Sequence, residues 1–185
     1  MAAAAPPLLH VRPQLKLGVR QRPHVFHAGA LLPRPNTALT GIAGVHHVVA
    51  ELSRRGLVAL PTIRNTAAYD VIVLTPDGTR HANLQVKASQ NRRSFFLMPP
   101  STKVRARPHD YYVLLRWLAN EDRYEGFMLS GRAARNEVRR AERFQRRRIR
   151  ARKRESPVWP SIVVGGKKLE PRAEKWRNTW LTWTL

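Results

Sequence analysis

The chain of 185 residues contains no cysteine, which excludes a disulfide framework and a cysteine-ligated zinc site. This permits a reducing compartment without requiring one. No apolar run reaches the roughly eighteen residues of a membrane-spanning helix. Residues 1–36 lack the uninterrupted apolar stretch of a secretory signal. Neither a glycine-rich phosphate-cradling loop nor a serine-nucleophile motif is present. Acid is also scarce: 12 Asp and Glu stand against 34 Lys and Arg, a formal charge of +22.

That charge is unevenly spread. Residues 1–50 carry five Lys/Arg and no acid, residues 51–130 carry twelve against seven, and residues 131–185 carry seventeen against five. The middle of the chain is mildly basic, while the last third alone contributes +12. A field of this sign attracts polyanions, nucleic acid first and an anionic membrane surface second. The length and a hydrophobic content of 43% are those of one domain with a real core.

Residues 1–37 read as a disordered or loosely packed basic leader, rich in alanine and proline without periodicity. An organellar targeting peptide and an over-extended translation start both remain open for it. The core is expected from about residue 38 to 130. Val45, Val48, Val49 and Leu52 fall at i, i+3, i+4 and i+7, which predicts a helix started by Thr40 and ended by Gly56. Leu57–Ile63 reads as a strand confined to an edge by Pro61. Phe95–Leu97, Tyr111–Trp117 and Gly126–Leu129 are further strands. Residues 131–156 form a highly basic helical arm, with twelve Lys/Arg and two Glu between 131 and 154. So much charge predicts a projecting element. Residues 157–185 are a tryptophan-rich segment expected to pack on the core, with Trp176, Trp180 and Trp183 spaced as one helix face. His46 and His47 point about 100° apart on a helix and read as exposed.

The most informative stretch lies between. Tyr69-Asp70-Val71-Ile72-Val73-Leu74 and Arg80-His81-Ala82-Asn83-Leu84-Gln85-Val86-Lys87 flank a Pro76-Asp77-Gly78 turn, a strong hairpin pattern. Folding symmetrically about Asp77 and Gly78 sets Asp70 opposite Gln85. Strand alternation then turns Gln85 and Lys87 to one face, on the side of Asp70. An acid, an amide and an ammonium amid apolar strands are the parts that phosphodiester hydrolysis needs. A divalent metal neutralises the phosphate and generates hydroxide. Mg²⁺ (or Mn²⁺) keeps several waters, so the Asp70 carboxylate, the Gln85 side-chain oxygen and the Val86 carbonyl can suffice as ligands. Lys87 can orient the attacking water or stabilise phosphate charge.

These residues give the chain its resemblance to the PD-(D/E)XK nuclease superfamily, and within it to small Holliday-junction-resolvase-like and uncharacterised restriction-endonuclease-like domains. The likeness covers residues 38–130. It rests on Thr40-Gly41 through Gly56, on Arg64-Asn65-Thr66 before Tyr69-Asp70, and on Gln85-Val86-Lys87-Ala88-Ser89. It implies an α/β fold, a mixed central sheet flanked by helices, with the basic helix as a C-terminal extension. It also implies Asp70 and Gln85 as metal ligands and Lys87 as the catalytic lysine, with DNA favoured over RNA as substrate. Relatives of this kind often form homodimers. The expected location is cytoplasmic, with nucleoid association or organellar targeting by residues 1–36 as alternatives. Members commonly read Glu-x-Lys where this chain has Gln85-Val86-Lys87. The first helix departs further: Val45 stands where relatives carry a metal-site glutamate, and Glu51 reads as a solvent-facing or salt-bridged residue. The rival expectation is therefore a nuclease-derived binding module that no longer catalyses, or a basic RNA-associated protein. Phosphate contacts are expected from Arg92 and Arg93, in the loop leaving the Lys87 strand, and from Arg139, Arg140, Arg146, Arg147 and Arg148 in the arm.

Overall fold

The hairpin forms in the register that the turn dictates. In the computed structural model, which describes residues 36–63, 69–90, 95–153, 155–165 and 173–185, β2 (Val71–Leu74) runs antiparallel to β3 (His81–Ser89). Val71 pairs with Leu84 and Leu74 with His81. Asp77 holds the turn by accepting from the Thr79 backbone N–H and from the Thr75 and Thr79 hydroxyls. These bonds hold its carboxyl below the usual range, that of Thr75 most of all. Gly78 takes a φ of +71° that disfavours a side chain. The leader to residue 35, Arg64-Asn65-Thr66, and Arg92 and Arg93 lie outside the described residues.

Around this hairpin grows a five-stranded mixed sheet. β1 (Val58–Pro61) pairs with β2 at one edge, so Pro61 falls on an edge strand as its missing N–H requires. β5 (Asp110–Leu118) lies parallel to β3, and β6 (Arg123–Ser130) returns antiparallel to β5. The order is β1-β2-β3-β5-β6. β4 (Phe95–Leu97) leaves this sheet to pair with β7 (Ser161–Val163) in a separate two-stranded sheet.

The strands are apolar on both faces because both faces are covered. Helix α1 (Thr37–Ser53) buries Val48 and Leu52 against Val71, Val73, Leu84, Val113 and Leu115. On the opposite face Tyr112, Leu114, Phe127 and Leu129 meet Phe96, Ile162 and two residues of helix α2 (Gly131–Ala151), Ala134 and Val138. The mixed α/β architecture follows from this pattern.

Three local expectations are corrected. The cap of α1 is Asn36, whose side chain accepts from the Ala38 N–H at 2.8 Å. Thr40 is buried inside the helix instead, its hydroxyl bonded to the Asn36 carbonyl. Next, α2 is not a projecting arm along its whole length. Gly131, Ala134 and Val138 are buried, Arg135 donates twice to the Val104 carbonyl, and Glu142 accepts from the N–H and hydroxyl of Ser101. Small residues at i, i+3 and i+7 let one side of a very basic helix dock. Finally, the three tryptophans do not share a helix. The Trp176 carbonyl accepts from the Met128 N–H, and the Asn178 N–H donates to the Gly126 carbonyl, so this segment covers the free edge of β6. Trp176 faces the α2 side, while Trp180 and Trp183 pack on the α1 side.

Gly44 lets α1 lie close against the sheet. A Cβ there would lie 2.5 Å from the Ala88 Cβ, an atom that cannot swing aside. Gly44→Ala is therefore expected to push α1 off β3 and to cost roughly 1–3 kcal/mol. Urea unfolding of the two proteins measures it, and an unchanged midpoint would show that the helix relaxes freely.

Candidate functional site

Asp70 sits where β2 has ended and β3 continues. Its N–H donates to the Leu84 carbonyl at 2.8 Å, and its carbonyl accepts from the Thr62 N–H at 3.0 Å. Its carboxylate Oδ2 accepts from the Val86 N–H at 2.7 Å. The side chain thus takes a β3 donor that a longer β2 would have taken. In a strand the N–H and C=O of one residue face the same neighbour, so the Val86 carbonyl is directed to the Asp70 side as well. Among the described residues Oδ1 has no hydrogen-bond partner. Asp70 and Val86 line a cavity of about 400 Å³ together with Val45, His46, Thr62 and Tyr69.

Gln85 and Lys87 are half-buried and alternate with Leu84 and Val86 along β3. They stand in register with Tyr112 and Leu114, residues of the α2-side core. They do not line the cavity of Asp70, and no hydrogen bond or ion pair joins either to Asp70 among the described residues. The backbone register sets Asp70 level with Gln85, while the carboxylate turns to the strand backbone. No group of three His, Asp or Glu that could hold a metal occurs among the described residues. The oxygens directed to one side are the Asp70 carboxylate and the Val86 carbonyl, a small set that suits Mg²⁺ because this ion brings its own waters.

The neighbours on α1 explain the rest. Glu51 is salt-bridged to Arg54 at 3.1 Å and Arg55 at 2.8 Å, and these bonds hold its carboxyl below the usual range. It lines a different cavity, with His47 and Trp117. His47 is not exposed: its ring lies 4.8 Å from Tyr124 and 5.6 Å from Trp180. Burial lowers its pKa, partly offset by Glu51. His46, by contrast, is exposed and borders the Asp70 cavity. Ile42, Val45 and His46 fall at i, i+3 and i+4, a second stripe beside the core stripe that could have revealed this face in the sequence.

The surface of α2 gives the second feature. Arg132, Arg139, Arg143, Arg146 and Arg150 are all exposed and recur at helical spacing, making one stripe about 27 Å long. Arg140 and Arg147 flank it. Of the arginines expected to meet phosphate, Arg139, Arg140, Arg146 and Arg147 lie on or beside this stripe. Arg148 does not: its guanidinium lies over the Phe144 ring at 5.6 Å. Arg132, Arg143 and Arg150 join the stripe, and only their spacing of three, four or seven residues marks them out.

Comparison with protein-family models, curated proteins and solved structures finds no match for the chain. Among the described residues, no helix is long and apolar enough to cross a membrane.

Proposed function

We propose that this protein acts on DNA as a metal-dependent endonuclease of restriction-endonuclease-like type, with Asp70, Gln85 and Lys87 as its site. The observation that carries the reading is the bond from the Val86 N–H to Asp70, which joins a carboxylate to the backbone of the Gln85-Val86-Lys87 triplet. A mixed sheet with a helix on each face supports it. Asp70 Oδ1 and the Val86 carbonyl would hold Mg²⁺ or Mn²⁺ with its waters, and Gln85 would join them only by turning its amide oxygen from the other face of β3. The ion supplies charge neutralisation and an acidified water. Lys87 would stabilise charge that develops on the phosphate. The test is incubation with plasmid, branched DNA, single strands and RNA in either metal. Metal-dependent cutting supports the reading.

A second reading has its own observation. Val45, in the place where the resemblance expects a glutamate, lines the Asp70 cavity and offers no donor. On that reading the fold binds nucleic acid and no longer cuts. Tight, salt-sensitive binding without cutting in either metal would favour it.

Both readings use the α2 stripe for phosphate contacts. Each neutralised phosphate adds about 0.9 to the slope of log affinity against log salt. Replacing Arg139, Arg143 and Arg146 together by glutamine is expected to flatten that slope by roughly three. Fluorescence anisotropy across a salt series measures it. A slope identical to that of the unmodified protein would remove α2 from the interface.

A further inference from the structure

We propose that the groove between α2 and β7 receives an unpaired base of single-stranded DNA. This rests on the nucleic-acid reading above and specifies the form of the ligand. The groove encloses about 430 Å³ and is lined by Phe144, Trp176, Ala141 and Val163, with Arg140 and Arg148 among its polar members. Phe144 is 59% exposed on a helix whose other outward residues are almost all arginine. Nothing in the two cores calls for it there. A flat apolar wall next to guanidinium groups suits a nucleobase joined to its phosphodiester, because every base has a face that stacks.

Charge selects this occupant over an apolar peptide. Two arginines line the groove against a single acid, Glu137. Arg140 belongs both to the groove and to the flank of the arginine stripe, so a backbone tracking the stripe can deliver a base into the groove without leaving positive potential. Arg148 lies over one face of Phe144 at 5.6 Å, so an incoming base stacks on the other face or displaces this exposed guanidinium toward its phosphate. Gln145 also lines the groove. It clamps the Trp159 backbone by donating to its carbonyl and accepting from its N–H, each at 2.7 Å. Trp159, also 59% exposed, is thereby tied through its backbone to the same stretch of helix and offers a second aromatic side chain for stacking. A duplex keeps its bases stacked inside and cannot use either ring.

The test uses the full chain with a labelled oligothymidine and a hairpin duplex of equal length, read by anisotropy at one salt concentration. Phe144→Ala is expected to weaken the single strand roughly tenfold, within the range of one stacked base, and to leave the duplex within about twofold. Phe144→Trp should keep single-strand affinity, since it keeps the stacking face. Because Phe144 is exposed, the alanine variant should unfold at the same urea concentration as the unmodified protein. Equal effects on both ligands, or none on either, would overturn the groove assignment while leaving the nucleic-acid reading intact. Failure of the unmodified protein to bind either ligand would overturn both. An oligouridine arm separates the two backbones, and tighter binding of RNA would overturn the assignment to DNA.

Discussion

Asp70→Asn is expected to reduce metal-dependent DNA cutting by roughly 100-fold or more, the scale on which one transition-state contact acts, while leaving the fold unchanged. The substitution suits the question because of what Asp70 does structurally. Its Oδ2 accepts the Val86 N–H, and an asparagine oxygen can accept the same bond, so the end of β3 stays paired. What disappears is the negative charge that a divalent ion needs. Alanine at the same place would leave that N–H without its acceptor and confuse a local rearrangement with a lost ligand. Lys87→Ala should lower cutting on a similar scale, since Lys87 is half-buried and makes no hydrogen bond or ion pair among the described residues. The measurement is plasmid nicking in Mg²⁺ and in Mn²⁺, beside circular dichroism to confirm folding. Cutting that survives both substitutions would come from elsewhere and would end the assignment of this site.

The largest effect on stability is expected from Glu125→Ala. Glu125 and Arg116 are cross-strand partners in β6 and β5, both buried, and their side chains form an ion pair. Arg177 reaches the other carboxylate oxygen at 2.7 Å from the segment that covers the β6 edge. Both guanidinium groups also lie over the Phe127 ring, at 5.3 Å and 5.8 Å. Removing the carboxylate breaks the buried ion pair of Arg116 and takes a negative charge out of the core beside its guanidinium. Breaking a buried pair in this way costs roughly 3–5 kcal/mol, a large part of the 5–15 kcal/mol that holds an ordinary domain together. Arg177→Ala should cost less, because its side chain is 25% exposed and its loss leaves Glu125 paired with Arg116. Urea unfolding of the two variants decides the matter. A loss under about 1 kcal/mol for Glu125→Ala would mean that Arg116 finds another arrangement.

Neither ion-pair partner stood out in the sequence. Arg116 and Glu125 read as ordinary charges in or beside predicted strands, and only the β5–β6 register brings them together. The hairpin was different. Alternation of apolar residues and the Pro76-Asp77-Gly78 turn act within a few residues of each other, so the pairing of Val71 with Leu84 is legible from the residues alone. The α1 stripe and the edge position of Pro61 are legible for the same reason. Thr40 misled because a hydroxyl near a helix start looks like a cap whether it stands at the boundary or one turn inside.

What the sequence determined by itself was therefore local: the helix and strand periods, the turn, the hairpin register and a charge that favours polyanions. Tertiary structure alone decided three things. It docked the first turns of α2 onto the sheet, it laid Trp176 to Asn178 along β6, and it set Val45 and Asp70 around one cavity. Each depends on groups far apart in the chain. The Asn178 side chain accepts from the N–H of Gly126, a residue 52 positions earlier. Arg135 donates to a carbonyl 31 positions before it. Such contacts join segments that only the assembled sheet, with its parallel β3–β5 crossover, brings together, and no spacing within a helix or strand encodes them.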